Sequence, residues 1–213
     1  IVTWGTDFRP DYLYVYDILE RMGKRPPVAA LTATATQDMQ ATICQRLHLQ
    51  DPRTVLASFD RPELKLVVYN KDTDAYPIRH RTDKLMQLLK ILRTASQRNE
   101  IAIVYVARTG DAEQLARLLR IYGINALPYH GKMAAPDRWA VEEEFQAGTV
   151  DVVVATKAFG LGINKADVRY VIHYDMPGDL ESYYQEVGRA GRDGKDAYGV
   201  MLYHPADRRI HEY

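Results

Sequence analysis

The sequence predicts an α/β protein with a parallel sheet covered by helices on both faces. Two observations carry that expectation. From about residue 61 onward, short apolar segments of strand length alternate with longer amphipathic stretches, the rhythm of repeated βα units. Strand segments such as 101–106 (IAIVYV) and 150–156 (VDVVVAT) are apolar almost throughout, as strands buried on both faces must be. The chain has 213 residues, 46% of them hydrophobic, enough for one large or two small domains with a core.

Taken in order, residues 11–24 carry apolar residues at helical spacing and stop at Gly23-Lys24. The stretch 26–35 (PPVAALTATA) reads as a short buried strand at 28–31 and a polar turn, and 36–49 as a helix with Thr36 a candidate N-cap. Residues 54–59 and 64–70 are strand-like, separated by DRPE. Helices are then expected over 83–96, 111–123 (closed by Gly123), 137–148 (closed by Gly148) and 179–188. Strands are expected over 101–106, 125–130, 150–156, 168–175 and 198–204. Residues 61–213 make a complete α/β domain; residues 1–60 are too few for another and read as the tail of one.

Composition narrows the function classes. Lys+Arg and Asp+Glu are both 28, so no global basic charge announces nucleic acid, and any anion-binding surface must be local. Cys44 is alone, which leaves no disulfide framework and no thiolate zinc site. No apolar run has the length of a membrane span and no segment reads as a signal peptide, so an intracellular protein without membrane contact is expected. The opening IVTWG reads as the middle of a longer chain.

Ligands of open α/β sheets gather at the carboxyl ends of the strands. Several unusual stretches follow expected strands: TATAT (32–36), ART (107–109), YHGKM (129–133) and TKAFGLGINK (156–165). The last has a G-x-G spacing without a third glycine or a following helix, unlike a dinucleotide-binding loop. With Thr156, Gly160, Gly162 and Lys165 it is suited to holding phosphates, or is a plain connection between strands. In QEVGRAGRDG (185–194), glycines at 188, 191 and 194 permit close backbone approach and positive φ, while Arg189 and Arg192 project planar donor forks. That pattern is either a phosphate clamp or a solvated, glycine-rich helix stop.

Together, LTATAT (31–36), YH (129–130), AT-x-AFGLGINKADVRYVIHYDMP (155–177) and SYYQEVGRAGRDG (182–194) resemble the RecQ family of ATP-dependent DNA helicases, of helicase superfamily two. The resemblance runs from residue 3 to about 207. It implies two RecA-like lobes of P-loop NTPase type: residues 1–60 as the C-terminal part of the first, with an aromatic-rich loop and motif III, and 61–213 as the second, with motifs IV, V and VI. It implies a 3′-to-5′ helicase of repair or recombination that uses ATP and Mg2+, in bacterial cytoplasm or nucleoid, or in a nucleus if eukaryotic. Its partners would be single-stranded DNA, duplex junctions and the N-terminal part of the first lobe. Another superfamily-two helicase acting on RNA, and a non-catalytic binding lobe, are the rival readings.

The same resemblance assigns roles. Arg189 and Arg192 correspond to the arginine fingers of motif VI, with Gln185 at the same interface. Asn164, Gly162 and Gly188 would line the ATP cleft. Trp4, Phe8 and Arg9 of the aromatic loop, Thr32 and Thr34 of motif III, Arg108 and Thr109 of motif IV, and His130, Lys132, Thr156 and Gly160 would bind DNA or couple it to hydrolysis. Three departures stand out: Thr6 in place of the usual histidine, VART in place of a Cys-x-Ser-Arg pattern, and YHGKM in place of Tyr-His-Ala-Gly. Neither G-x-x-x-x-G-K-S/T nor D-E-x-H occurs, so the metal ligands would lie outside this chain, which should not hydrolyse ATP alone.

Overall fold

The structure, a computed structural model, describes residues 14–32, 37–56, 60–70, 72, 78–160 and 163–210. The chain divides into two compact units, residues 1–59 and 60–213. In the first, the described helices are α1 (Val15–Arg21) and α2 (Gln37–Arg46), neither with a buried residue. Arg25 donates to the Leu47 carbonyl, and Tyr16 stacks on His48 at 3.9 Å. The strands expected at 28–31 and 54–59 do not form over the described residues 28–31 and 54–56. Leu31 is 91% exposed and Val55 79%. A strand exists only as half of a hydrogen-bonded ladder, and among the described residues of this unit no second strand pairs with either segment.

The second unit holds one six-stranded sheet. Its strands are β1 (Leu64–Tyr69), β2 (Ile101–Tyr105), β3 (Ala126–Tyr129), β4 (Val152–Ala155), β5 (Val168–His173) and β6 (Ala197–Leu202), in the order β1-β6-β5-β2-β4-β3. Every pairing is parallel. The helices are α3 (Arg81–Gln97), α4 (Thr109–Ile121), α5 (Ala135–Ala147) and α6 (Leu180–Val187), with a 3-10 turn at Pro205–Ile210. All lie within a few residues of the ranges read from the sequence.

Alternation along the strands sorts side chains to two faces. Ala102 and Val104 of β2, Val152 and Val154 of β4, and Tyr170 and Ile172 of β5 share one core with Leu88 and Leu92 of α3 and Leu115 and Leu119 of α4. Ile103, Tyr105, Val153 and Val171 point the other way, into a core with Val141 and Phe145 of α5 and Val187 of α6. The inner strands β4 and β5 are buried along their full length, which accounts for the unbroken apolar sequence of β4 and for an apolar β5 broken only at Arg169 and His173. Gly148 closes α5 at φ +75°, and the Asp179 side chain caps α6 by accepting from the Ser182 amide at 2.6 Å. No helix of the described residues is long and apolar enough to cross a membrane.

Candidate nucleotide and nucleic-acid site

The connection from β4 to β5 is the element that builds the site. It leaves the carboxyl end of β4 at Thr156, passes Gly160, Ile163 and Asn164, and re-enters the sheet at the amino end of β5 at Val168. The chain after α6 lies against it: Gly191 N donates to the Val168 carbonyl at 3.0 Å, and Asp193 N to that of Ala166 at 3.3 Å. Arg189 and Arg192 stand on this second segment. Arg189 Nη1 donates to the Gly160 carbonyl at 2.6 Å, while its Nε is buried without a partner. Arg192 Nη1 donates to the Ile163 carbonyl at 3.0 Å and to Asn164 Oδ1 at 3.2 Å.

Gly160 is required by this contact. Its φ is +124°, and a Cβ there would lie 2.1 Å from Arg189 Cζ. Only hydrogen can occupy the space the guanidinium fills. At Gly191, φ +66°, a Cβ would crowd Ala197 at 3.0 Å and Glu63 at 3.3 Å, and Gly194 is at φ +76°. Gly188 differs from the sequence expectation. Its φ of −63° is ordinary helical backbone, because α6 runs through it before turning.

Neither arginine forms an ion pair among the described residues. Partial burial first, then the charges of Arg189 and Arg61, push the Arg192 guanidinium below its ordinary value. An arginine stays charged at any physiological pH, so the neighbouring guanidinium groups of Arg189 and Arg192 add to one local positive potential. Burial pushes the nearby Tyr105 phenol well up, opposed by the Arg189 charge. The half-buried Arg189 and the exposed Arg192 thus form a pair of planar guanidinium groups that meet neutral acceptors and no carboxylate among the described residues.

Two further arginines, missed in the sequence reading, hold the corner from either side. Arg169, 9% exposed on β5, donates to Asp193 Oδ2 at 2.7 Å and to the carbonyls of Lys195 at 3.1 Å and Asp196 at 3.3 Å. The hydrogen bond from Arg169, helped by the Lys195 amide and the Arg169 charge, holds the Asp193 carboxyl below the usual carboxylate range. Arg61 donates to the Ala190 carbonyl at 2.9 Å. Beneath them His173, 1% exposed, bonds Glu186 at 2.7 Å and stacks with Tyr105 at 5.4 Å. A charge inside a strand buried on both faces was the signal available for Arg169 and His173.

Lys165, read from the sequence as part of a phosphate-holding loop, faces away from the corner. Its ammonium meets the Gln146 carbonyl at 3.2 Å and Asp167 at 3.3 Å. The free carbonyls and negative dipole end of α5 attract it. Gln185 gives its amide to Glu181 Oε1 at 3.2 Å.

A second group lies at the carboxyl ends of the strands. Thr156 is buried after β4, and its amide donates to the Tyr129 carbonyl at 3.1 Å. Arg108 is the N-cap residue and Thr109 the first residue of α4. His130 is 4% exposed, with Nε2 3.0 Å from Glu113 Oε1 and Nδ1 unpartnered. It lines an open pocket of about 450 Å³ with Arg117, Arg120 and Lys132. Thr32 is exposed in the first unit. Trp4, Thr6, Phe8, Arg9, Thr34, Thr36 and Gly162 lie outside the described residues. Among the described residues no cluster of His, Cys, Asp and Glu could hold a metal ion.

A parallel sheet of this order, sheathed on both faces and carrying an arginine corner against the β4–β5 connection, defines a RecA-like helicase lobe. Its backbone matches yeast Dbp5 bound to RNA and ADP BeF3 with a TM-score of 0.75, over 97% of this chain and 54% of that one, at 18% identity. Residues 82–194 match the family described as helicase conserved C-terminal domain, and the chain belongs to that family. It is 39% identical, over 97% of its length, to the ATP-dependent DNA helicase RecQ of Pasteurella multocida, and covers 31% of that protein. It is also 39% identical, over 96% of its length, to the ATP-dependent DNA helicase Q-like 2 of Arabidopsis thaliana, covering 28% of it. The chain thus spans about a third of the length of the curated relatives it matches.

Proposed function

We propose that this chain is the end of the first lobe and the whole second lobe of a RecQ-type helicase, which couples ATP hydrolysis to 3′-to-5′ unwinding of DNA in repair or recombination. The observation that carries the reading is the arginine corner: two guanidinium groups held by neutral carbonyls and the Asn164 amide, with no carboxylate of their own. Bound ATP supplies a terminal phosphoryl group whose negative charge spreads over its oxygens during transfer. Arg192, the more accessible of the two, would reach those oxygens, Arg189 would add to the local potential, and Asn164 would hold Arg192 in place before nucleotide arrives. Relatives named as ATP-dependent DNA helicases support the use of ATP and DNA. Among the described residues no cluster could hold Mg2+, so on this reading its ligands lie outside this chain.

On this reading the pocket beside His130 and Lys132 receives the DNA backbone, positive charge meeting phosphate. Action at DNA junctions, and a cytoplasmic, nucleoid or nuclear location, follow from the same reading. The 213-residue chain alone should not turn over ATP, since it carries neither a phosphate-loop lysine nor the paired acidic motif.

The test is Arg192→Ala in the full-length protein. The expected loss in kcat is roughly 10³–10⁵-fold, about 4–7 kcal/mol of barrier, with little change in nucleotide Kd. Lysine should rescue poorly, because a point charge cannot reproduce the fork. A kcat within about threefold of wild type, near 0.7 kcal/mol, would make the corner a helix stop.

A further inference from the structure

Arg61 is the second residue of the second unit, far in sequence from the corner and outside every motif of the sequence reading. Its backbone is fixed by the turn that launches β1: Pro62 follows it, and Leu64 N donates to the Arg61 carbonyl at 2.9 Å. Its side chain is fixed by Glu63, whose carboxylate accepts from Arg61 Nε and is held below its usual range by that bond. The outer edge of the fork then meets the chain just after α6, with Nη2 2.9 Å from the Ala190 carbonyl and Nη1 3.5 Å from that of Gly188. These two carbonyls flank Arg189 and immediately precede the turn at Gly191 that aims Arg192.

The geometry is that of a clamp. Helix-end carbonyls otherwise have no partner within the helix, and a backbone segment free to shift would carry both guanidinium groups with it. Glu63 also touches the inner side of the turn, at 3.3 Å from the position of a Gly191 Cβ, and its carbonyl accepts from Ala197 N at 2.9 Å. The start of the second unit therefore grips the arginine corner from one side while Arg169 grips it from the other.

We infer that Arg61 is a positioning residue for the arginine corner, tying the start of the second unit to the loop that aims Arg189 and Arg192. It touches no reacting group. It acts by denying the 188–194 loop the freedom to move. A displacement of about 1 Å at a group that must meet a developing charge is enough to cost up to a hundredfold in rate.

The inference rests on the finger reading for its effect on catalysis, so two measurements separate the two ideas. In the 213-residue chain, hydrogen exchange of the amides at 188–194 should be at least about tenfold faster in Arg61→Met, which keeps the apolar stem and removes the donors, with β2 and β5 unchanged. In the full-length protein, Arg61→Met should lower kcat about ten- to a hundredfold with nucleotide Kd within about threefold, and should cost far less in an Arg192→Ala background. Arg61→Lys, which retains charge and one donor, should fall between and stands in if the Met variant does not fold. Unchanged exchange at 188–194 overturns the inference. So does the same fold-loss of kcat with and without Arg192. An Arg192→Ala enzyme of undiminished kcat overturns the finger reading instead, while faster exchange in Arg61→Met would still establish the clamp.

Discussion

Near the start of α3 the second unit buries a cation and on the loop after α6 it carries two, Arg189 half-buried and Arg192 exposed, and the two regions answer the charge differently. Lys84, 1% exposed, meets Asp207 at 2.6 Å, the Tyr174 carbonyl at 2.6 Å and Asp175 at 3.9 Å. Asp207 in turn accepts from the His204 amide at 3.0 Å, so the knot pins the chain after β6 to α3 and to the end of β5. Among the described residues, Arg189 and Arg192 meet carbonyls and one amide and no carboxylate. A cation matched by a buried carboxylate is committed to the fold. One held by neutral dipoles keeps its full charge for a ligand. On the proposed function, the contrast separates stability from function within one lobe.

The largest expected effect comes from breaking the committed cation. Lys84→Met leaves Asp207 and Asp175 as buried carboxylates without a cation, and removal of one partner of a buried pair costs about 3–5 kcal/mol. Urea unfolding of the chain, followed by circular dichroism, should show the midpoint fall by the corresponding amount. An unchanged midpoint would place Lys84 among the ordinary surface lysines and dissolve the contrast.

The next effect is expected at Gly160, where the two regions' logic meets packing. Gly160→Ala must place a methyl where Arg189 Cζ lies 2.1 Å away, at a φ of +124° that L residues rarely adopt. Strain and displacement of the guanidinium together should cost about 2–3 kcal/mol. The same variant should also lower kcat in the full-length protein, because Arg189 cannot keep its bond to the 160 carbonyl. Loss of stability with normal turnover would detach the glycine from the corner.

How far the sequence could foresee this depends on where each residue's partners lie. The sheet was legible because β2 and β4 are apolar throughout and β5 is interrupted only by Arg169 and His173, and such runs are buried on both faces of a parallel sheet. The pairing of Gly160 with Arg189 was not, since 29 residues separate them and nothing in either motif says that one fills the other's missing side chain. The same holds for Arg61 and Ala190, 129 residues apart. Residues 28–31 and 54–56 misled in the opposite direction. Their composition is that of strands, but β-structure is a property of pairs, and composition does not record whether a neighbour is present.

Asp175 tests the knot more finely. Burial raises its carboxyl above the ordinary value, against the lowering effects of the Ala107 amide, 3.0 Å away, and of Lys84, while Asp207 adds to the rise. A raised carboxyl contributes stability that is fully present below the ordinary carboxylate value of 3.8 and is lost as pH rises through its native value. Asp175→Asn can still accept from Ala107 and carries no charge. It should therefore gain on the order of 1 kcal/mol at pH 7, and the gain should vanish in acid. A gain that persists at low pH would point to packing and not to charge.

The smallest expected effect is also the one that discriminates best. Arg192 is exposed, its guanidinium answers to a carbonyl at 3.0 Å and an amide oxygen at 3.2 Å, and both acceptors can turn to water when it is removed. Arg192→Ala also relieves the repulsion that Arg189 and Arg61 exert on it. Loss of two modest hydrogen bonds and relief of like-charge repulsion nearly offset each other, so unfolding should change by no more than about 0.5 kcal/mol. Set beside the collapse of kcat expected for the same substitution, a flat melting curve would mark the corner as charge held in reserve. A drop of several kcal/mol would mean that Arg192 is a second Lys84, spent on the fold, and its loss of activity would then say nothing about phosphate.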